Sequence, residues 1–210
     1  MRITIIRAGN AGDGVAGAAT GALRRHGVDS RPDVGGRVMS TVDPVRLNHA
    51  VLFVADLDRA ERFYTEVFGM TVAAREPRAN AAFLRLPRSG NHHDLGLFGV
   101  GPTAATKQRG GIGLYHLAWQ VDTIDELAAA QQVLTNAGAL TGESSHGATK
   151  SVYGADPDGN EFEVMWMLPR EAWGEYANTA PIDRLDLKAE LARWTGVRTA
   201  GQIVSEAARP

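Results

Sequence analysis

The pattern that most constrains this chain is an internal repeat. Leu47-Asn48-His49-Ala50, followed by Val54, is echoed by Leu114-Tyr115-His116-Leu117, followed by Val121, at a constant offset of 67 residues. Each copy leads into a segment with helical apolar spacing, residues 57–68 and 124–137. A fold built by duplication puts His49 and His116 at equivalent points in two similar units. Two imidazoles facing one cavity need only a carboxylate to make a metal site. The stretch Asp156-Pro157-Asp158-Gly159-Asn160-Glu161-Phe162-Glu163 offers one.

The rest of each unit follows the same order. Residues 47–55 are apolar between polar flanks and read as a strand. Asp56 stands in capping position for the first helix, whose Ala60, Phe63, Tyr64, Val67 and Phe68 share a face, and Gly69 stops it. Short strands are expected over residues 70–75, 81–86 and 94–100, punctuated by Pro77, Pro87, Ser89 and Gly90. In the second unit, residues 114–121 form a strand, Asp122-Thr123 caps a helix to Asn136, and Gly138 ends it. Strands then fall near residues 139–143, 150–154 and 162–167. The expected class is α+β: two tandem βαβββ modules, residues 46–100 and 114–168, forming one open, curved mixed sheet around a metal cavity. Neither module closes a core alone, so 46–168 is read as one domain. Residues 169–210 form a tail with one helix, Leu187–Trp194, docked outside.

Composition excludes several alternatives. The chain has 210 residues, 44% apolar and 22% charged, with a formal net charge of −2, an ordinary globular profile that points to neither nucleic acid nor a membrane surface. It has no cysteine. Disulfides and thiolate-bound metals are therefore excluded, and any metal must be held by histidine, carboxylate or backbone oxygen. A cytoplasmic location is expected and compatible with this. No run reaches the roughly 18 apolar residues of a membrane span.

Residues 1–45 are read as a weakly ordered N-terminal extension. Gly12-Asp13-Gly14-Val15-Ala16-Gly17 matches G-x-G-x-x-G, with Asp29 downstream. A dinucleotide fold needs several βα units, however, and the next strands here belong to the duplicated region, so the match is taken as coincidence. Asp13 and the glycines break any signal-peptide core. Met39 reads as an alternative start, and His26 is assigned no role.

Alternation along the strands assigns faces. His49, Val51 and Phe53 share one face, opposite Ala50, Leu52 and Val54. His116, Ala118 and Gln120 share the matching one. Glu161, Glu163 and Met165 share a face on the last strand, where Glu163 lies deeper than Glu161 and is the better inner carboxylate. His93 is expected to point inward with Leu95 and Leu97, and His92 outward.

These residues resemble the vicinal oxygen chelate superfamily across about 46–168, and within it the single-domain type I extradiol dioxygenases of the catechol 2,3-dioxygenase kind. That family's signature is a histidine, five to seven residues, an apolar residue and tyrosine, two more residues, Asp-Pro-x-Gly, and a glutamate. Here it reads His146, Val152-Tyr153, Asp156-Pro157-Asp158-Gly159 and Glu163. Ser144 is a departure, since the family usually has Gly, Asn, Thr, Ile or Val there. His92-His93-Asp94 matches a histidine entering the fourth strand of the first module.

The resemblance implies metal ligands His49, His116 and Glu163, an acid–base role for His93, and contact of His146 and Tyr153 with substrate hydroxyl and bound oxygen. It implies a ring-cleaving enzyme that inserts both atoms of O2 into an aromatic diol at an Fe(II) site, with Mn(II) the other candidate, and a tendency to form homo-oligomers. Two imidazoles and a carboxylate leave a ferrous ion at about +1 and occupy one face of its octahedron. A histidine titrating near neutrality can serve as acid and base, and Tyr153 can donate to a developing oxyanion. The alternatives are a metal-dependent lyase or isomerase of the glyoxalase or epimerase type, and a non-catalytic binding protein of the same fold. A glyoxalase-like site would want a carboxylate on the inward face of the first module's fourth strand.

Overall fold

The computed structural model describes residues 42, 44–105 and 110–200. The Gly12–Gly17 match, His26, Met39 and most of the expected extension lie outside them. The compact unit described here begins at Val45.

The first module runs β1 (Ala50–Val54), α1 (Leu57–Phe68), β2 (Thr71–Glu76), β3 (Ala81–Arg85) and β4 (Leu95–Gly99). The second runs β5 (Leu117–Gln120), α2 (Ile124–Asn136), β6 (Leu140–Ser145), β7 (Thr149–Ala155) and β8 (Glu161–Met167), and the tail adds α3 (Leu187–Trp194). Local chemistry sets the helix limits. Asp56 accepts from the Arg59 amide at the start of α1, and Gly69 ends it at φ +63°, a left-handed conformation that costs glycine little. Thr123 accepts from the Glu126 amide at the start of α2, while the Glu126 carboxylate reaches back to the Asp122 amide, a close variant of a capping box.

Both modules have the α+β architecture that the repeat implies. Their strand orders are β1-β4-β3-β2 and β5-β8-β7-β6. In each, the first strand pairs in parallel with the last and the other pairings are antiparallel. Even the register shifts correspond, at Val72/Ala74 and Leu140/Gly142. The eight strands divide into two open four-stranded sheets, with no hydrogen-bonded pairing joining them among the described residues. The modules meet instead through side chains. Phe63 and Phe68 of α1 pack on Phe162 of β8, and Phe68 packs on Trp119 of β5.

The turn before β8 adds polar joints. Buried Asp156 accepts from the Asp158 and Asn160 amides, from the Asn160 side chain, and from the Tyr64 hydroxyl of α1. Arg59 of α1 pairs with Asp158. Burial, followed by the Asp156 carboxylate, pushes the Tyr64 hydroxyl pKa upward, so it remains a proton donor.

The alternation reading holds on β1, β5 and β8. Leu52, Val54, Ala82, Leu84, Leu95 and Leu97 form the core under α1. Phe162, Val164, Trp166 and Val152 belong to the core under α2. The opposite faces carry Val51 and Phe53 in the first sheet and Glu163 and Tyr153 in the second. α3 docks on the second module through α2, and its Glu190 pairs with the buried Lys150 of β7 at 2.8 Å.

Candidate functional site

The second sheet gathers a polar cluster on its open face. Tyr153 is paired with Glu163, Ser151 with Met165, and Ser144 with Ser151. Paired residues project to the same side, so Ser144, Ser151, Tyr153 and Glu163 share it. His116 enters from the residue preceding β5, and His146 from the turn between β6 and β7.

Two groups occupy this face. In one, His116 Nε2 lies 3.0 Å from Glu163 Oε2, and Ser151 Oγ donates to Glu163 Oε1. In the other, His146 Nε2 is 2.8 Å from the Tyr153 hydroxyl and 2.8 Å from Ser144 Oγ, which stand 3.1 Å apart. The His116 and Tyr153 rings lie 5.8 Å apart, so the groups adjoin. Burial, and secondarily the Glu163 charge, raises the Tyr153 pKa, against a lowering by its bonds to Ser144 and Ser151.

His49 and His93 form a separate cluster on the first sheet. Their rings stand 4.5 Å apart, His49 Nδ1 meets Asn48 Oδ1 at 2.9 Å, and His93 packs on Phe83. Burial, then the neighbouring His49 and His92, lowers the His93 pKa. The expected reason for its inward direction is corrected. Leu95 and Leu97 are fully buried in the core beneath α1. The open face of β4 carries Gly96 and Phe98, opposite Val51 and Phe53. His93 precedes the strand, so alternation does not extend to it. Neither open-face position on β4 is a carboxylate, and the glyoxalase-type ligand is absent there on this better ground.

The fit of this donor set to a metal ion is partial. Two cis donors at about 2.1 Å from an octahedral ion stand about 3 Å apart, which is the His116–Glu163 separation. Among the described residues, the buried His116 Nδ1 has no hydrogen-bond partner of the kind common for a metal-bound imidazole. Among the described residues, no three His, Asp or Glu side chains gather closely enough to hold one ion. A cleft of about 1060 Å³ touches His49 and runs past Arg88, Trp119 and Glu126, but His93, His116, His146, Tyr153 and Glu163 do not line it. The polar cluster of the second sheet lies outside this cleft.

Sequence reasoning overlooked Ser151 and gave Ser144 no role. Alternation from Tyr153 would have placed Ser151 on the open face, whereas Ser144 lies one residue past the strand expected near residues 139–143. The tail contact to His146 described below has no local signal.

The model of the glyoxalase/bleomycin resistance protein/dioxygenase superfamily matches residues 46–164, more than half of the chain. The chain belongs to this superfamily. It is 28% identical over 131 residues to the catechol-2,3-dioxygenase of Bacillus subtilis (strain 168), covering 62% of this chain and 45% of that protein. It is 33% identical over 128 residues to biphenyl-2,3-diol 1,2-dioxygenase 3 of Rhodococcus globerulus, covering 60% and 64%. The chain thus spans less than two thirds of the length of these relatives. A glyoxalase/dioxygenase from Nostoc punctiforme shares the fold at a TM-score of 0.51 and 21% identity, covering 63% of this chain and 99% of the other. Among the described residues no helix is long and apolar enough to cross a membrane.

Proposed function

We propose that this superfamily member is an extradiol ring-cleaving dioxygenase, inserting both atoms of O2 into a catechol-type diol. The observation that carries the reading is the open face of the second sheet. There, His116 and Glu163 stand at the spacing of adjacent metal ligands beside a hydroxyl–imidazole pair, Tyr153 and His146. The relatives named as catechol and biphenyldiol dioxygenases support the same reaction class. His116 and Glu163 would hold the ion, for which Fe(II) suits the donor types best and Mn(II) is the alternative.

Among the described residues the donor set is incomplete within one chain, and His49 stands with His93 instead. The reading therefore includes a homo-oligomer in which one copy's first module faces the other copy's second module. Val51 and Phe53, 49% and 61% exposed beside His49, are the apolar surface such a contact would cover. His93 would then arrive at the site with His49, and its lowered pKa leaves it neutral and able to accept a proton at neutral pH. No nucleic-acid or membrane partner enters the reading, and the location proposed is cytoplasmic.

The test is anaerobic loading with Fe(II), followed by a catechol panel in air. Oxygen uptake with a yellow ring-opened product supports the proposal. Turnover of a hemithioacetal with Ni(II) or Zn(II), and none of catechols, replaces it with a lyase. Mixing inactive His49→Ala and His116→Ala chains tests the shared site, because a mixed dimer regains one intact donor set.

A further inference from the structure

The tail does more to the second module than cover it. Residues Ser145 and Asp183 exchange backbone hydrogen bonds of 2.9 Å in both directions. Between these and the site, His146 Nδ1 lies 2.8 Å from the carbonyl oxygen of Pro181. The Tyr176 ring packs on the same turn at Gly147. A Cβ on Gly147 would fall 2.3 Å from its ring, and Gly147 sits at φ +73°. The turn is therefore held by tail residues at two points, His146 by Pro181 and Gly147 by Tyr176, where only glycine fits against the ring.

The Pro181 contact has a chemical consequence. A carbonyl oxygen only accepts, so the bond requires a proton on His146 Nδ1. In the neutral ring, Nε2 is then an acceptor with one lone pair. Ser144 Oγ and the Tyr153 hydroxyl both lie 2.8 Å from Nε2 and compete for that lone pair. One hydroxyl donates to the nitrogen, and the other is left to donate to its neighbour's oxygen, 3.1 Å away, or to a ligand.

We infer that the tail segment 176–183 is a positioning element that fixes His146 as its Nδ1–H tautomer, so that the Ser144–His146–Tyr153 triangle presents a proton acceptor at Nε2. This deepens the reading of the site given above and rests on it for its catalytic meaning. The resting cluster is set to take a proton from a diol hydroxyl, directly or through Tyr153, rather than to give one. Pro181 and Tyr176 act through His146 and are positioning residues. Ser144 is part of the acceptor's hydrogen-bond set.

Long-range proton–nitrogen NMR on the full chain with 15N-labelled histidine tests this without an activity assay. His146→Gln identifies the signal by its loss. At a pH where the ring is neutral, the wild type should show a protonated Nδ1 and a bare Nε2. Tyr176→Ala removes an exposed ring and should preserve folding, while shifting His146 toward a mixture of tautomers. It should also lower kcat for ring cleavage by about tenfold, with KM nearly unchanged. Ser144→Ala should leave the Nδ1–H tautomer intact. A wild-type ring protonated at Nε2 would overturn the inference, as would an unshifted tautomer in Tyr176→Ala. An Nδ1–H ring in a protein without ring-cleaving activity would leave the clamp standing and remove the functional reading alone.

Discussion

His116 Nε2 and Glu163 Oε2 lie 3.0 Å apart, although His116 precedes the first strand of its module and Glu163 lies on the last. The parallel pairing of β5 with β8 brings them together, since Leu117 is opposite Phe162 and Ala118 opposite Glu163. The same topology in the first module brings His49 to His93.

If His116 and Glu163 hold the ion, losing either should lower metal retention sharply. His116→Ala and Glu163→Gln are each expected to reduce bound iron after desalting by at least about tenfold, with an unchanged far-UV circular dichroism spectrum. His93→Phe should retain the metal and lose most of the turnover. Metal analysis of anaerobically loaded protein reads the first effect, and oxygen uptake the second.

Arg88 of the first module grips Glu126 of α2 through two bonds of 2.9 and 3.0 Å. The Arg88 bond, followed by the bonds from the Asp122 and Thr123 groups, holds the Glu126 pKa below its usual 4.5 despite burial acting the other way. A depressed carboxylate pKa contributes stability that is complete above the unfolded value and is lost as pH falls through the folded one. Arg88 is largely exposed and Glu126 more than a third exposed, so solvent screening holds the contribution to at most about 1 kcal/mol. Urea midpoints of wild type and Glu126→Gln should therefore differ at pH 7, and the difference should shrink as pH falls below the usual glutamate value and through the lower folded one.

Asp156 is the polar joint between the modules. Asp156→Ala leaves the Asp158 and Asn160 amides and the buried Tyr64 hydroxyl without their acceptor. A loss of about 3 kcal/mol is expected in urea unfolding. Tyr64→Phe removes one bond and should cost about 1 kcal/mol.

Lys150 is 6% exposed, and among the described residues its ammonium meets Ser145 Oγ and Glu190. Glu190→Ala strands this charge beneath α3 and should cost about 3 kcal/mol. Lys150→Met with Glu190→Ala should recover much of that loss. Thermal melts of the single and double variants would show it, and an additive double variant would contradict the pairing.

Much of this molecule is legible in short stretches of sequence. The helices α1, α2 and α3 lie where apolar spacing, capping residues and terminal glycines place them. The strands also agree in order, although β1 and β5 start after their histidines, not before. On β4 the face differs: Leu95 and Leu97, expected to point inward with His93, are buried beneath α1, and His93 precedes the strand. Ser151 was readable from Tyr153 by the same alternation and was passed over, because a serine carries no chemical signal by itself.

The repeat, the helix caps and the alternating faces fixed the two modules and the side of each sheet that bears polar residues. These depend on spacing within a few residues, where backbone geometry leaves few choices. Tertiary packing decided the remainder: two separate sheets, His116 against Glu163, His49 against His93, and the Pro181 carbonyl on His146. Those contacts join residues tens of positions apart, and their distances follow from how Phe63, Phe68 and Phe162 pack the modules together and how the tail crosses the β6–β7 turn. Many arrangements satisfy the same local spacing, and side-chain packing selects among them.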